Sequence, residues 1–183
     1  MDFELVLRNL LKGFEDRKIR YAVMGGFALG ALGAPRATMD LDFLVHKDDL
    51  QSLHDLMTRL GYYRRFHTEN VSQYQNSKAG WGSVDFLHAF RSISINMLDR
   101  ASEHPLLEGA FKVRILQPED LIGLKVQAMA NDSSRKSKEM ADIEALIQVH
   151  ASALDWKKIE EYYDLFNLGK ELKETKKRLG YAK

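Results

Sequence analysis

The stretch YAVMGGFALGALGAPRATMDLDFLV, residues 21–45, decides how the rest of the chain is read. A short apolar run, Arg20 to Met24, predicts a strand. Gly25 and Gly26 then open a short helix reaching about Leu32, which Gly33 and Pro35 end. Met39 to Val45 predicts a second strand that carries Asp40 and Asp42. Alternate strand residues share a side, so the two carboxylates are expected to face one way, roughly 6.5–7 Å apart, with Leu41 and Phe43 turned into a core. Like charges at that spacing repel unless a cation lies between them. Mg²⁺ suits such a pair, because it takes hard oxygen ligands and shares them with phosphates. A pair of exposed aspartates on a sheet edge is the other reading. The glycines also read two ways. Backbone N–H groups at a helix start favour phosphate, and glycine lets a ligand approach the backbone closely; a tight turn needing positive φ explains them equally.

Working outward, Leu5, Leu7, Leu10, Leu11 and Phe14 form the stripe of a helix over 2–16. Leu50, Leu53, Leu56, Met57 and Leu60 do the same over 48–60, where Gly61 stops it. The period then changes: 62–67, 70–75, 82–88, 92–98 and 111–116 predict strands separated by polar turns. From Pro118 the pattern is helical, with Pro118 at a favoured first position and Glu119 and Asp120 in the first turn. Helices are expected over 118–131, 136–150, 155–166 and 169–179. The fold class is therefore α+β: a mixed β-sheet core flanked by helices over 1–117, then a C-terminal helical bundle over 118–183 that packs on it.

Composition narrows the chemistry. The chain has 183 residues, 45% hydrophobic and 29% charged, the balance of a globular protein. With no cysteine, disulfides, thiolate metal sites and cysteine nucleophiles are excluded. No apolar run approaches the roughly 18 residues of a membrane span, and no signal segment is read, so no membrane partner and a cytoplasmic location are expected. Lys plus Arg number 27 against 26 Asp plus Glu, a net charge of +1. That is not the footprint of a protein that coats nucleic acid by charge alone, though it permits a local grip on one RNA end. The six histidines show no zinc spacing, and no serine-nucleophile motif is present. A GxxxxGK[ST] loop and a GxGxxG fingerprint are also absent.

Further candidates lie beyond the opening stretch. Arg36 suits a two-pronged clamp on a triphosphate and Thr38 a bond to a phosphate oxygen; an exposed loop explains them as well. Lys125 falls within the buried stripe Leu121, Leu124, Ala128 and Met129, so its ammonium needs a partner or a cavity. Asp142 on the next helix is the expected partner. "GYYRRFH", 61–67, mixes aromatics with Arg64 and Arg65, which suits stacking and phosphate contact with an RNA acceptor; an amphipathic edge strand is the plainer reading.

Met24-Gly25-Gly26 followed by Asp40-Leu41-Asp42-Phe43 resembles the hG[G/S]…Dh[D/E]h signature of the DNA polymerase β-like nucleotidyltransferase superfamily. With "RATMDLD" and a helical tail, the chain is similar to the minimal nucleotidyltransferases, the AbiEii-like toxin group of toxin–antitoxin systems and antibiotic-modifying relatives among them. The signature covers about Tyr21 to Val45, with weaker similarity to about Gln148. The resemblance implies a Mg²⁺-dependent transfer of a nucleoside monophosphate from a nucleoside triphosphate, ATP for example, to a hydroxyl acceptor: a tRNA end, a protein side chain or a small molecule. It implies two Mg²⁺ ions held by Asp40, Asp42 and a third carboxylate, for which Asp85 in "GSVDFLHAF" is the candidate and Asp99 a poorer rival. Asp85 would double as general base. Gly25, Gly26, Arg36, Thr38 and Lys125, held by Asp142, would contact the nucleotide, and an antitoxin partner would follow from the toxin group. Where that group has Lys-Asp, this chain has Lys138-Glu139.

Two rivals come from other classes. A glycosyltransferase would use Asp40-Leu41-Asp42 for a metal and a sugar nucleotide, but normally after a long nucleotide-binding region. A catalytically inert nucleotidyltransferase fold would bind nucleotide and transfer nothing.

Overall fold

The computed structural model describes residues 1–106 and 109–181, which fall into two compact units. The larger comprises Met1–Ala31 and Pro35–Leu116, the smaller Leu32–Ala34 and Gln117–Lys183.

In the larger unit the elements run α1 (Phe3–Asp16), β1 (Tyr21–Met24), α2 (Gly25–Ala31), β2 (Leu41–His46), α3 (Leu50–Arg59), β3 (Tyr63–His67), β4 (Val71–Asn76), β5 (Gly82–Ala89), α4 (Ser92–Arg100), β6 (Ser102–Leu106) and β7 (Phe111–Ile115). The strands form one mixed seven-stranded sheet in the order β3-β4-β5-β2-β1-β7-β6. β2 runs parallel to β5 and β1 to β7; the other neighbours are antiparallel.

One sheet face is the core. Leu41, Phe43 and Val45 of β2 and Val84 and Phe86 of β5 are fully buried on it. Helix α1 starts at Asp2, whose carboxylate accepts from the Leu5 N–H at 3.0 Å. It brings Phe14 edge-on to Phe43, with ring centres 5.4 Å apart. Gly13 lets α3 close in, for a Cβ there would lie 2.4 Å from Leu56 Cδ1. On the opposite face α4 packs against β2 and β5 and buries Met97 and Leu98.

Two expectations are corrected. Residues 92–98 form the helix α4, not a strand. The alternation Ser92-Ile93-Ser94-Ile95 spans one turn's length, too short to set a period, while the Arg91 carbonyl accepts from both the Ile95 N–H and the Ser94 hydroxyl. The missed strand is β6, which contains Pro105. It lies at the sheet edge, where a residue without an N–H is tolerated.

The smaller unit holds α5 (Pro118–Asn131), α6 (Lys136–His150), α7 (Trp156–Leu165) and α8 (Gly169–Arg178). Gly123 on α5 admits the Tyr162 ring, which a Cβ would meet at 2.7 Å. The Tyr162 hydroxyl donates to Asp120 Oδ1 at 2.6 Å, so a fully buried carboxylate at the start of α5 is hydrogen-bonded. Among the described residues no helix is long and apolar enough to cross a membrane.

Candidate active site

The site begins at the turn between β1 and α2. Gly25 has φ +67°, a left-handed conformation that favours glycine, and an ideal Cβ there would sit 2.0 Å from Asp42 Oδ2. Asp42 therefore lies directly against the Gly25 backbone. At Gly26 a Cβ would meet the Arg36 guanidinium at 2.9 Å. The two glycines thus let the Asp42 carboxylate and the Arg36 guanidinium each pack directly on the backbone of the turn. Arg36 also donates from Nη1 to the Ala37 carbonyl at 3.0 Å, and Thr38 Oγ1 to the Asp40 carbonyl at 3.2 Å.

Strand pairing adds the next group. β2 and β5 register Asp42 against Asp85. Residues paired in register share a face, so both carboxylates project from the side opposite the Phe43–Phe86 core. The same row extends through Gln73 of β4, whose Nε2 donates to Asp85 Oδ2 at 2.7 Å. Burial pushes the Asp85 carboxyl above its ordinary value. The Gln73 amide opposes that shift, the Asp40 charge adds to it, and the Arg65 charge opposes it. Asp40 thus acts electrostatically on Asp85, yet it does not occupy the strand position expected for it. β2 begins at Leu41, and Asp40 is an exposed bend residue just before it. The Thr38 hydroxyl donates to the Asp40 carbonyl within that bend, and the strand pairing ends at Leu41.

In the helical unit, Lys125 is 7% exposed. Its Nζ donates to Asp142 Oδ2 at 2.5 Å and to Glu139 Oε2 at 3.0 Å. Glu139 also accepts from Arg135, Nε at 3.0 Å and Nη2 at 2.5 Å. Burial pushes the Glu139 carboxyl up, but Lys125 and then Arg135 outweigh it and hold the group below its ordinary value. Two positive and two negative groups thus balance in one network. Asp99 lies on α4.

Sequence reasoning missed Gln73, Glu139 and Arg135. Nothing in the sequence places Gln73 beside Asp85, because that neighbour is set by which strands pair. Glu139 was findable: it precedes Asp142 by one helical turn, so both face the same neighbour.

Among the described residues, no three His, Cys, Asp or Glu side chains converge enough to hold a metal by themselves. Mg²⁺ does not require such a cage, since one or two carboxylates and substrate phosphates commonly hold it. Asp42 and Asp85, in register on neighbouring strands, are two carboxylates of the kind such a cation takes.

Comparison with solved structures returns the same architecture. The antibiotic-resistance factor ANT(2'')-Ia superposes with a TM-score of 0.67 at 16% identity, over 97% of this chain and 99% of that one. An antigenic nucleotidyltransferase-like protein from Paracoccidioides brasiliensis gives 0.60 at 19% identity, over 99% and 93%. The lincomycin-bound lincosamide antibiotic adenylyltransferase LnuA gives 0.58 at 16% identity, over 80% and 97%. At these identities the likeness establishes the fold. No curated protein matches the sequence. The model of the family described as uncharacterised nucleotidyltransferases matches residues 3–175, nearly the whole chain, and the protein belongs to that nucleotidyltransferase family.

Proposed function

We propose that the chain moves a nucleoside monophosphate from a nucleoside triphosphate to a hydroxyl acceptor, with Asp40, Asp42 and Asp85 holding the Mg²⁺ it needs. One observation carries this reading: Asp42 and Asp85 stand in register on neighbouring strands, against the Gly25 turn and within the field of Asp40. Asp40, Asp42 and Asp85 would hold the Mg²⁺, two ions in this reading, which would supply neutralisation of phosphate charge.

The chain's own residues do the rest. The Gly25-Gly26 backbone receives the triphosphate closely, since a side chain at either position would displace Asp42 or Arg36. Arg36 and Thr38 supply a cation and a hydroxyl beside it. Asp85, its carboxyl raised above the ordinary value by burial, takes the proton of the acceptor hydroxyl as that oxygen attacks the α-phosphorus. One new P–O bond forms, the bond to the bridging oxygen breaks, and pyrophosphate leaves. Positioning and charge neutralisation supply the acceleration. Lys125 and Asp142 enter as the charged pair that fixes α5 against α6. The fold hosts such chemistry elsewhere: ANT(2'')-Ia is known in complex with adenylyl-2''-tobramycin, and LnuA is an adenylyltransferase. The toxin role and antitoxin form no part of this reading, because no residue in the sheet unit argues for them.

The test is the thermal midpoint with each of the four nucleoside triphosphates, with and without Mg²⁺, for wild type and Asp42→Asn. A ligand that binds the folded state raises the midpoint by mass action, about 2.7 kcal/mol at a hundred times its Kd. The expected result is a Mg²⁺-dependent rise that the variant loses. A rise with no Mg²⁺ dependence, or one that Asp42→Asn keeps, sinks the assignment. Stabilisation by nucleotide with no transfer to any acceptor would favour the inert binding module.

A further inference from the structure

Strand β3 has a composition and a position that the transfer reaction, as derived above, leaves unused. All five of its residues, Tyr63–His67, are exposed, so it is not the amphipathic edge strand that was the plainer expectation. Tyr63 is 55% and Phe66 49% exposed, two of the large hydrophobic side chains most open to solvent in the sheet unit. A bulge at Arg65 interrupts the ladder to β4 between Arg64 and Phe66. Bulges re-aim side chains, and this one separates the two arginines. Arg64 pairs in register with Tyr74 and acts on its hydroxyl, on the core face. Arg65 acts on Asp85, on the face of the candidate site.

Register extends the candidate site to this edge. Phe66 pairs with Gln73, Gln73 with Asp85, and Asp85 with Asp42, so the four form one row across the sheet. Tyr63 pairs with Gln75, two residues from Gln73 and hence on the same face. Two strand spacings, about 10 Å, separate Phe66 from Asp85. Between them lie Gln73 and Gln75, with Ser83 donating to Gln75 Oε1 at 2.5 Å. The face therefore runs from two carboxylates, over amides, to two exposed aromatic rings and a guanidinium.

We propose that this edge is the acceptor subsite and that its occupant is the end of a single-stranded nucleic acid, whose bases stack on Phe66 and Tyr63, whose phosphate meets Arg65, and whose terminal hydroxyl reaches Asp85. The inference rests on the transfer reading above. An unpaired strand has the three complementary features together: planar rings, negative charge and a free hydroxyl. A polycationic small acceptor would face the Arg65 charge. A net charge of +1 fits a short, local grip rather than a long footprint. Arginines and a bulge also keep edge strands from pairing with other chains, but half-exposed aromatics work against that purpose.

The test is fluorescence anisotropy with a labelled single-stranded oligoribonucleotide ending in a 3′ hydroxyl. Wild type, Phe66→Ala and Arg65→Ala are compared across a salt series. Phe66→Ala is expected to bind about ten-fold more weakly, the scale of one lost base–aromatic stack. Arg65→Ala should bind more weakly and flatten the slope of log K against log salt by about 0.7. The same oligonucleotide annealed into a duplex should bind about ten-fold more weakly. The nucleotide-dependent midpoint rise, measured on the same samples, should survive in Phe66→Ala and Arg65→Ala. No binding by wild type, or equal binding by both edge variants, overturns this inference while leaving the transfer reading intact if the midpoint rise is present. Binding through Phe66 and Arg65 without any midpoint rise overturns the transfer reading, and the acceptor role with it. A concentration-dependent dimer in sedimentation, with no oligonucleotide binding, would show that the edge pairs with another copy and also overturns the proposal.

Discussion

Asp85 in the sheet unit is half-buried and Glu139 in the helical unit is buried, and their surroundings push the two carboxyls in opposite directions. Around Asp85, burial and the Asp40 charge raise the carboxyl, and the opposing groups, the Gln73 amide and the Arg65 charge, do not cancel them. Around Glu139, Lys125 and Arg135 overcome burial and keep the charge in place. In the second, two cations and two carboxylates offset one another between α5 and α6. A carboxyl raised first by burial and then by a neighbouring like charge, as Asp85 is, carries its charge at a cost to the folded state, which a cation would relieve. Perturbed carboxyls like Asp85 mark functional sites more often than balanced pairs do.

The contrast is open to direct attack. The largest effect is expected from Lys125→Ala, which leaves Glu139 and Asp142 buried with their shared cation gone. Breaking a buried pair from one side costs about 3–5 kcal/mol, which urea unfolding of the variant would register. A loss below about 1 kcal/mol would mean that the network is not the structural element it is taken to be.

Gly25→Ala should cost less in stability, more than about 1 kcal/mol, because its φ of +67° is strained for any residue with a Cβ. Its added methyl also displaces the Asp42 carboxylate, so the Mg²⁺-dependent midpoint rise should disappear together with the lost stability. Retention of that rise would separate the glycine turn from the nucleotide site.

The smallest effects sharpen the comparison most, through their signs. Asp85 has a folded-state value above its ordinary 3.8. Its favourable contribution is present at low pH and is lost as pH rises through the raised value. Near neutrality Asp85→Asn should therefore raise stability, by about 0.5–1 kcal/mol or less, while transfer is lost. Glu139 has a folded-state value below its ordinary 4.5. Its contribution is present above 4.5 and is lost as pH falls through the lowered value. Glu139→Gln should therefore lower stability near neutrality and flatten the acid limb of the stability profile. Midpoints measured across pH for both variants, if they move in the same direction at neutral pH, would dissolve the distinction between the two carboxyls.

Much of this was legible in the residues. Helical stripes marked α1, α3 and the four C-terminal helices to within a residue or two, because apolar side chains at a period of 3.6 have one way to reach a core. The Lys125–Asp142 pair was legible too, since a lysine in an apolar stripe needs a counter-charge. Short strands were harder. Four alternating residues at Ser92–Ile95 suggested a strand where the chain forms a helix, and Pro105 concealed an edge strand. In both cases the competing local hydrogen bonds or the place in the sheet outweighed the pattern.

By itself, then, the sequence determined that strands and helices alternate around a glycine turn, that two aspartates follow it one residue apart, and that the last third of the chain is helical. Local periodicity and turn chemistry suffice for that, as each depends on near neighbours alone. Tertiary structure decided which strands pair and in what register, and so which distant residues meet. It set Asp85 beside Asp42, brought Gln73 to Asp85, bent Asp40 out of the strand, and carried the same row to Phe66 at the sheet edge. Register is a property of the whole sheet, in which a slip of one residue turns every side chain to the other face, and no single segment encodes it.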